Sequence, residues 1–234
     1  MEDTSYPMRI NKYMALKRYS TRRGADELIS KGKVFINGKK AVLGSKVEES
    51  DKVEVMTARN PVKYVYFAYH KPVGVITHSP QKGEMDIKHA ALLKDVAPLG
   101  RLDKNSHGLI ILTNDGRITD KLLNPKYAHE KEYVVTTSNK LRSSFKAKME
   151  KGVDIEGYVT KKCKINILTD NKFEITITEG KKHQIRRMCS NLFQEVSDLK
   201  RTRIMNITLG KLGANQYRAI EGEELAIFMK SLDM

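Results

Sequence analysis

The first apolar pattern along the chain has a helical period and is short. Ile10, Tyr13 and Met14 recur at i, i+3 and i+4, as one face of a brief helix does. A second helix is predicted after it. Ser20 or Thr21 offers a capping oxygen, Ala25, Leu28 and Ile29 repeat the spacing, and Gly32 stands where a helix usually stops. The period then drops to two. Val34 and Ile36 alternate with polar neighbours, Asn37-Gly38 marks a tight turn, and Val53 and Val55 predict a closing strand. The stretch MTARNPVK, residues 56–63, has no period and contains a proline. The chain is therefore expected to pass there from a small domain, residues 1–62, to a larger one, residues 63–234.

Strand patterns dominate the larger domain. YVYFAYH stops at Lys71-Pro72, and LIILT (109–113), EYVVTT (132–137), KINIL (164–168) and KFEITIT (172–178) are rich in aromatic and β-branched residues. Helical spacing is confined to three places. These are the segment after Asn114-Asp115-Gly116, where Ile118 and Leu122 lie four apart, the stretch Leu141 to Lys151, and a run beginning at His183. In that run Ile185, Met188, Cys189 and Leu192 fall on one face, which leaves Gln184, Arg186 and Arg187 on others. The fold class expected is α+β.

Charge changes the picture more than composition does. Lys and Arg number 43 against 28 Asp and Glu, a formal net charge of +15, which suits a partner that is a polyanion. Arg9, Lys12, Arg18, Arg22, Arg23, Lys31, Lys33, Lys39 and Lys40 crowd the small first domain. Charge alone does not separate RNA from DNA or a membrane surface. No apolar run approaches the roughly 20 residues that span a bilayer, and MEDTSYPMRI lacks the apolar core of a signal peptide, so a cytoplasmic protein is expected. Cys163 and Cys189 form no CxxC, and the six histidines show no HExxH spacing, so neither a disulfide framework nor a metal is expected. The glycine-rich phosphate loop of ATP-users is also missing.

One carboxylate stands out. In LGRLDKNSHGLIILTNDG, Asp103 lies between Arg101 and Lys104, just ahead of a strand apolar enough to be core. By spacing alone, an Asp between two cations is more often half of a loop salt bridge than a catalytic group. Tyr133 likewise sits in a strand where most tyrosines only pack.

Longer motifs decide between these readings. RINKYMALKRYSTRRGADELISKGKVFINGKKA, within residues 8–56, resembles the S-four-like RNA-binding domain, whose two helices and following loop form a basic surface. Gly100-Arg101-Leu102-Asp103, Ser106, Gly108-Leu109 and Leu112 to Gly116 resemble the signature of the pseudouridine synthases of the RsuA, RluB, RluE and RluF group. HKPVG (70–74), EKEYVV (130–135) and EGKKHQIRRM (179–188) resemble that group's other motifs, in the same order. HEKEYVV, VTKKCKI, HQIRRMC and LKRTRIMNI are most similar to its RluF branch, which modifies large-subunit ribosomal RNA and can also act on a transfer RNA.

The resemblance implies a catalytic domain with a mixed, largely antiparallel sheet, flanking helices and an RNA cleft. It implies an enzyme that isomerises uridine without a cofactor, since no group is gained, lost or oxidised; nothing in the sequence points to an obligate partner, so a monomer is expected. It assigns Asp103 as the nucleophile, Tyr133 as a ring that stacks on the flipped uracil, and Arg186 as the ionic partner of Asp103. Arg101 would fill the gap left by the flipped base. RNA contacts fall to Leu102, Lys104, Lys182, His183, Gln184 and Arg187, and in the first domain to Arg9, Lys12, Arg22, Arg23, Lys31, Lys33 and Lys39. Three departures stand out: Ser106 where many members have Thr, Lys182-His183, and Phe193-Gln194 where relatives often have Gly followed by an aromatic residue. The turn after that helix is therefore expected to differ. The alternative function is a noncatalytic RNA-binding or ribosome-assembly factor that retains the fold.

Overall fold

The two short helical periods become α1 (Ile10–Leu16) and α2 (Arg22–Ser30), preceded by a two-residue strand β1 (Met8–Arg9). Thr21 caps α2: its Oγ1 accepts the Gly24 N–H at 3.1 Å, satisfying one of the donors that a helix start leaves open. Gly32, with φ of +66°, closes the helix in the left-handed conformation. Strands β2 (Val34–Ile36) and β3 (Lys39–Lys40) are joined through Asn37 and Gly38, both at positive φ, the geometry of a two-residue hairpin turn. Strand β4 (Lys46–Val47) pairs with β1, and β5 (Val53–Val55) pairs with β2. Ile10, Met14, Ala25, Ile29, Val34, Ala41 and Val47 form the core of this unit, and the Asn11 amide ties α1 to Asp26 on α2 at 2.8 Å.

The structure is a computed structural model that describes residues 5–17, 19–56, 63–93 and 95–234. Most of the expected linker, residues 57–62, and Arg18 lie outside the described residues. One compact unit runs to Tyr64 and takes in Asn114–Arg117; the other comprises Val65–Thr113 and Ile118–Met234. No helix among the described residues is long and apolar enough to cross a membrane.

In the second unit the elements follow as β6 (Tyr66–Lys71), α3 (Ile87–Ala90), β7 (Ala97–Leu99), β8 (His107–Thr113) and α4 (Ile118–Leu123). Next come β9 (Lys131–Thr137), α5 (Phe145–Lys151), β10 (Lys164–Thr169), β11 (Lys172–Ile177) and α6 (Gln184–Asn191). The last are β12 (Val196–Ile204), β13 (Ile207–Thr208), β14 (Tyr217–Ala219) and α7 (Gly222–Lys230). One sheet runs in the order β10-β11-β9-β12-β8-β6-β14, with β13 paired to β12 and β7 to β8. Only the β12–β8 pairing is parallel among the described strands, so the sheet is mixed and largely antiparallel. The expected strands appear within two or three residues of their patterns, while β7, β12, β14, α3 and α7 had no clear pattern in the sequence.

Strand β8 explains where the site can be. Its residues Leu109 to Leu112 are all buried, as befits a strand covered on both faces. Strand β6 pairs along one edge of β8, whereas the other edge is divided: β12 lies beside His107 and Gly108, and β7 beside Ile111 to Thr113. The chain leaves β7 at Leu99 and re-enters at His107, so residues 100–106 loop out at the point where β12 meets β8. Gly108 permits that meeting. Its φ is +106°, and a Cβ there would lie 2.3 Å from the Arg201 carbonyl oxygen.

Candidate active site

The loop carrying Asp103 is held almost entirely by its backbone. Thr77 Oγ1 accepts the Leu102 N–H at 3.1 Å and donates to the Leu102 carbonyl at 2.7 Å. Gly74 N–H donates to the Lys104 carbonyl at 2.8 Å, and Ser106 N–H donates to the Asp103 carbonyl at 3.0 Å. Arg186 Nη2 donates to the Asn105 carbonyl at 2.9 Å, with Nη1 on Val196 at the start of β12. With so many of its polar backbone groups satisfied the loop is rigid, yet the Asp103 side chain remains partly exposed. Its nearest ionic partner is His183 Nε2 at 3.4 Å.

The expected ion pair between Arg186 and Asp103 is absent. Arg186 instead donates to two carbonyls, those of Val196 and Asn105, which take up both of its terminal nitrogens. Two buried cations lie close by: Lys71, which feels the charge of Asp103, and Arg201, whose charge Lys71 also feels. Lys71, at the end of β6, is fully buried, and its Nζ donates to the carbonyls of Pro72 and Val75 at 2.9 and 2.7 Å. Burial lowers its pKa to about 8; the charge of Asp103 acts in the opposite sense, and Arg201 adds to the lowering. Arg201, buried on β12, donates from Nε to the Leu109 carbonyl at 2.6 Å and reaches the Arg101 carbonyl at 3.5 Å.

Neither cation was singled out from the sequence. Lys71 left a trace, since it prolongs the apolar run of β6 within the motif HKPVG. Arg201 left none, because it sits in the charged run SDLKRTR.

Tyr133 faces inward from β9 as expected, opposite Arg201 in the strand register. The Arg201 guanidinium carbon lies 5.9 Å from its ring centroid, at the outer limit of a cation–π contact. Two of the expected RNA contacts need correction, and a third is already paired. Leu102 is buried in the core with Tyr133 and Ile185, so it anchors the loop instead of touching a ligand. Gln184 is buried too: its Oε1 accepts the Lys181 N–H and its Nε2 donates to Glu179, since the first residue of α6 turns inward to satisfy that buried carboxylate. Arg187 is committed to Glu156 at 2.7 Å and to the Ile155 carbonyl at 3.0 Å.

Other expected contacts are placed at the surface. Lys104 is exposed and bridged to Glu84 at 2.8 Å, and Lys182 and His183 are exposed at the start of α6. Arg101 is exposed, with no ion pair among the described residues. In the first unit Arg9, Arg22, Arg23, Lys31, Lys33 and Lys39 are exposed and Lys12 is half-buried, again without an ion pair among the described residues. The turn after α6 keeps the left-handed conformation expected of glycine: Phe193 adopts φ of +59°. Backbone hydrogen bonds from Phe193 and Gln194 to the Ser190 and Cys189 carbonyls form this turn.

A carboxylate on a backbone-anchored loop, with a buried lysine near it and exposed cations beside it, suits nucleophilic or acid–base chemistry on a polyanion. Residues 65–191 match the family model described as RNA pseudouridylate synthase, and residues 8–53 match the S4 domain. The dual-specificity RNA pseudouridine synthase RluF of Escherichia coli (strain K12) is 40% identical over 97% of this chain and 80% of its own length. Ribosomal large subunit pseudouridine synthase B of Bacillus subtilis (strain 168) is 34% identical over 93% of each chain. A solved pseudouridylate synthase superposes with a TM-score of 0.69 at 28% identity, over 96% of this chain and 99% of that one.

Proposed function

The chain belongs to the RNA pseudouridylate synthase family and isomerises uridine to pseudouridine in RNA, and from that premise we propose that Asp103 is its nucleophile and large-subunit ribosomal RNA its principal substrate. The reaction breaks the bond between ribose C1′ and uracil N1, turns the ring over and joins C5 to C1′. The proton on C5 leaves and N1 ends protonated, so atoms balance without a cofactor. Asp103 serves by attacking either C1′ or the pyrimidine ring, and either route needs an ionised carboxylate at the reacting base.

The observation that carries this reading is the contrast within the loop: the backbone from Leu102 to Ser106 is tied down while the Asp103 carboxylate is left accessible. Such a group loses little freedom on reaching the transition state. Lys71 supplies a positive charge behind it in a site that RNA dries, where electrostatic effects strengthen. Arg186 is a positioning residue that acts through Asn105. Tyr133 stacks on the extruded uracil and assists removal of the C5 proton. Arg101 occupies the gap in the RNA, offsetting part of the few kcal/mol that base extrusion costs.

The assignment of the Bacillus subtilis relative to the ribosomal large subunit favours large-subunit RNA, and the dual specificity of the Escherichia coli relative favours a second RNA, which we take to be a transfer RNA. The enzyme acts in the cytoplasm as a monomer, without metal. Mapping tests the substrate. Unmodified large-subunit, small-subunit and transfer RNA transcripts are treated with the protein, and pseudouridine is located by carbodiimide-induced stops in primer extension. A new stop in the large-subunit RNA is expected; stops confined to small-subunit RNA would overturn the assignment.

A further inference from the structure

We propose that Phe193 is a stacking platform for an unpaired base of the RNA substrate, displayed at the far end of α6 from Asp103. The turn that ends α6 is of the type that glycine normally occupies. Phe193 N–H donates to the Ser190 carbonyl and Gln194 N–H to the Cys189 carbonyl, both at 2.9 Å, with Phe193 in the left-handed position between them. A bulky side chain is strained there, and phenylalanine has no local hydrogen bond to offset the strain, as Asn or Asp would. Burial does not offset it either. Phe193 is 76% exposed, more than any other aromatic residue among those described.

A residue that suits neither the turn nor the core is explained by what it presents. The Arg142 guanidinium carbon lies 5.2 Å from the Phe193 ring centroid, and Arg142 is itself exposed with no ion pair among the described residues. An aromatic ring beside an arginine is the pairing on which single-stranded bases stack. Other charges nearby do not favour a phosphate: Lys140 is bridged to Asp170 at 2.7 Å, and Glu195 is exposed two residues beyond the ring. The surroundings thus select the face of a base.

The platform is also firmly placed. Leu192 packs against the core, and Gln194 is buried with its Nε2 on the Lys140 carbonyl at 3.3 Å. At the other end of α6, His183 is 3.4 Å from Asp103. The helical rise between His183 and Phe193 amounts to about 15 Å, so the stacked base lies a few nucleotides from the target uridine. The inference rests on the RNA substrate of the family, and it stands whether or not Asp103 is the nucleophile.

The chain contains no tryptophan, so Phe193→Trp in the full-length protein creates a single reporter at the platform. The probes are a dye-labelled single-stranded RNA of mixed sequence and the blunt duplex of the same sequence, with binding followed independently by dye anisotropy. Saturation with the single strand is expected to quench the tryptophan strongly, and saturation with the duplex is not. Unchanged emission at full single-strand occupancy would overturn the proposal. Phe193→Gly provides a second test with opposed readouts. Relief of backbone strain is expected to raise Tm by about 2–4 °C, while single-strand affinity falls about tenfold. Single-strand affinity equal to wild type would also overturn it.

Discussion

In the N-terminal unit Arg9, Arg22, Arg23, Lys31, Lys33 and Lys39 are exposed and meet no carboxylate among the described residues, whereas around Asp103 the cations Lys71 and Arg201 are buried and bonded to backbone carbonyls. The same residue types do different work. Exposed cations attract phosphates at a distance, are screened by salt, and stand in for one another. Buried cations are screened little, fix the backbone they touch, and cannot be exchanged without leaving a carbonyl unsatisfied. On the proposed reading the first region supplies affinity and the second chemistry, so changes in each are expected to separate in experiment.

The widest separation is expected at the carboxylate. Asp103→Asn is predicted to lower single-turnover rate by roughly 10³-fold or more with RNA affinity within about twofold of wild type; a parallel loss of affinity would merge the two regions. Next is the close approach that places Arg201. Gly108→Ala puts a Cβ 2.3 Å from the Arg201 carbonyl at a φ of +106°, and unfolding free energy is expected to fall by about 3 kcal/mol. Denaturant unfolding with an unchanged midpoint would mean that β8 and β12 adjust freely.

A smaller and opposite pattern is expected in the N-terminal unit. Replacing Arg22, Arg23 and Lys31 together by Gln is predicted to leave stability within about 0.5 kcal/mol. The slope of log affinity against log salt should become shallower by about 2, measured between about 50 and 200 mM salt. An unchanged slope would remove these residues from the RNA surface.

The smallest effect concerns pH. The folded-state pKa of Lys71 is about 8, below its unfolded value near 10.5, so between these limits the unfolded chain binds more protons and stability from this group rises with pH. Below pH 8 the lysine is charged in both states and the full cost of burying it applies. Between pH 8 and 9 the rise amounts to at most about 1.4 kcal/mol for Lys71. Lys131, also lowered to about 8 by burial, contributes in the same sense. Above pH 9 the partly buried thiol of Cys163, raised to about 11, and the buried thiol of Cys189, raised to about 12, oppose it. Lys71→Met should flatten the pH 8–9 segment of a denaturation series, and an identical slope in the variant would contradict the burial of this charge.

Legibility in the sequence followed the same division. The first unit was readable because each device there is local: Thr21 caps, Gly32 stops, and Asn37-Gly38 turns. In the sheet, β8 and β9 were readable because their apolar residues mark the core directly. Strand β12 was not, although it lies between them, since one of its inward positions holds Arg201 and two bulges break its alternation. Asp103 and Tyr133 were proposed from motif order, not from local spacing. Gln184 and Leu102 were misplaced because buried hydrogen-bond partners, Glu179 and Thr77, come from elsewhere in the chain and no spacing reveals them.

The central claim, that this chain isomerises uridine through Asp103, is tested most directly by tritium release from ring carbon 5 of labelled large-subunit RNA, comparing wild type with Asp103→Asn at equal bound RNA. Every isomerisation must displace that hydrogen. Release by the wild type and none by the variant is the predicted result; equal release by both would contradict the assignment of Asp103.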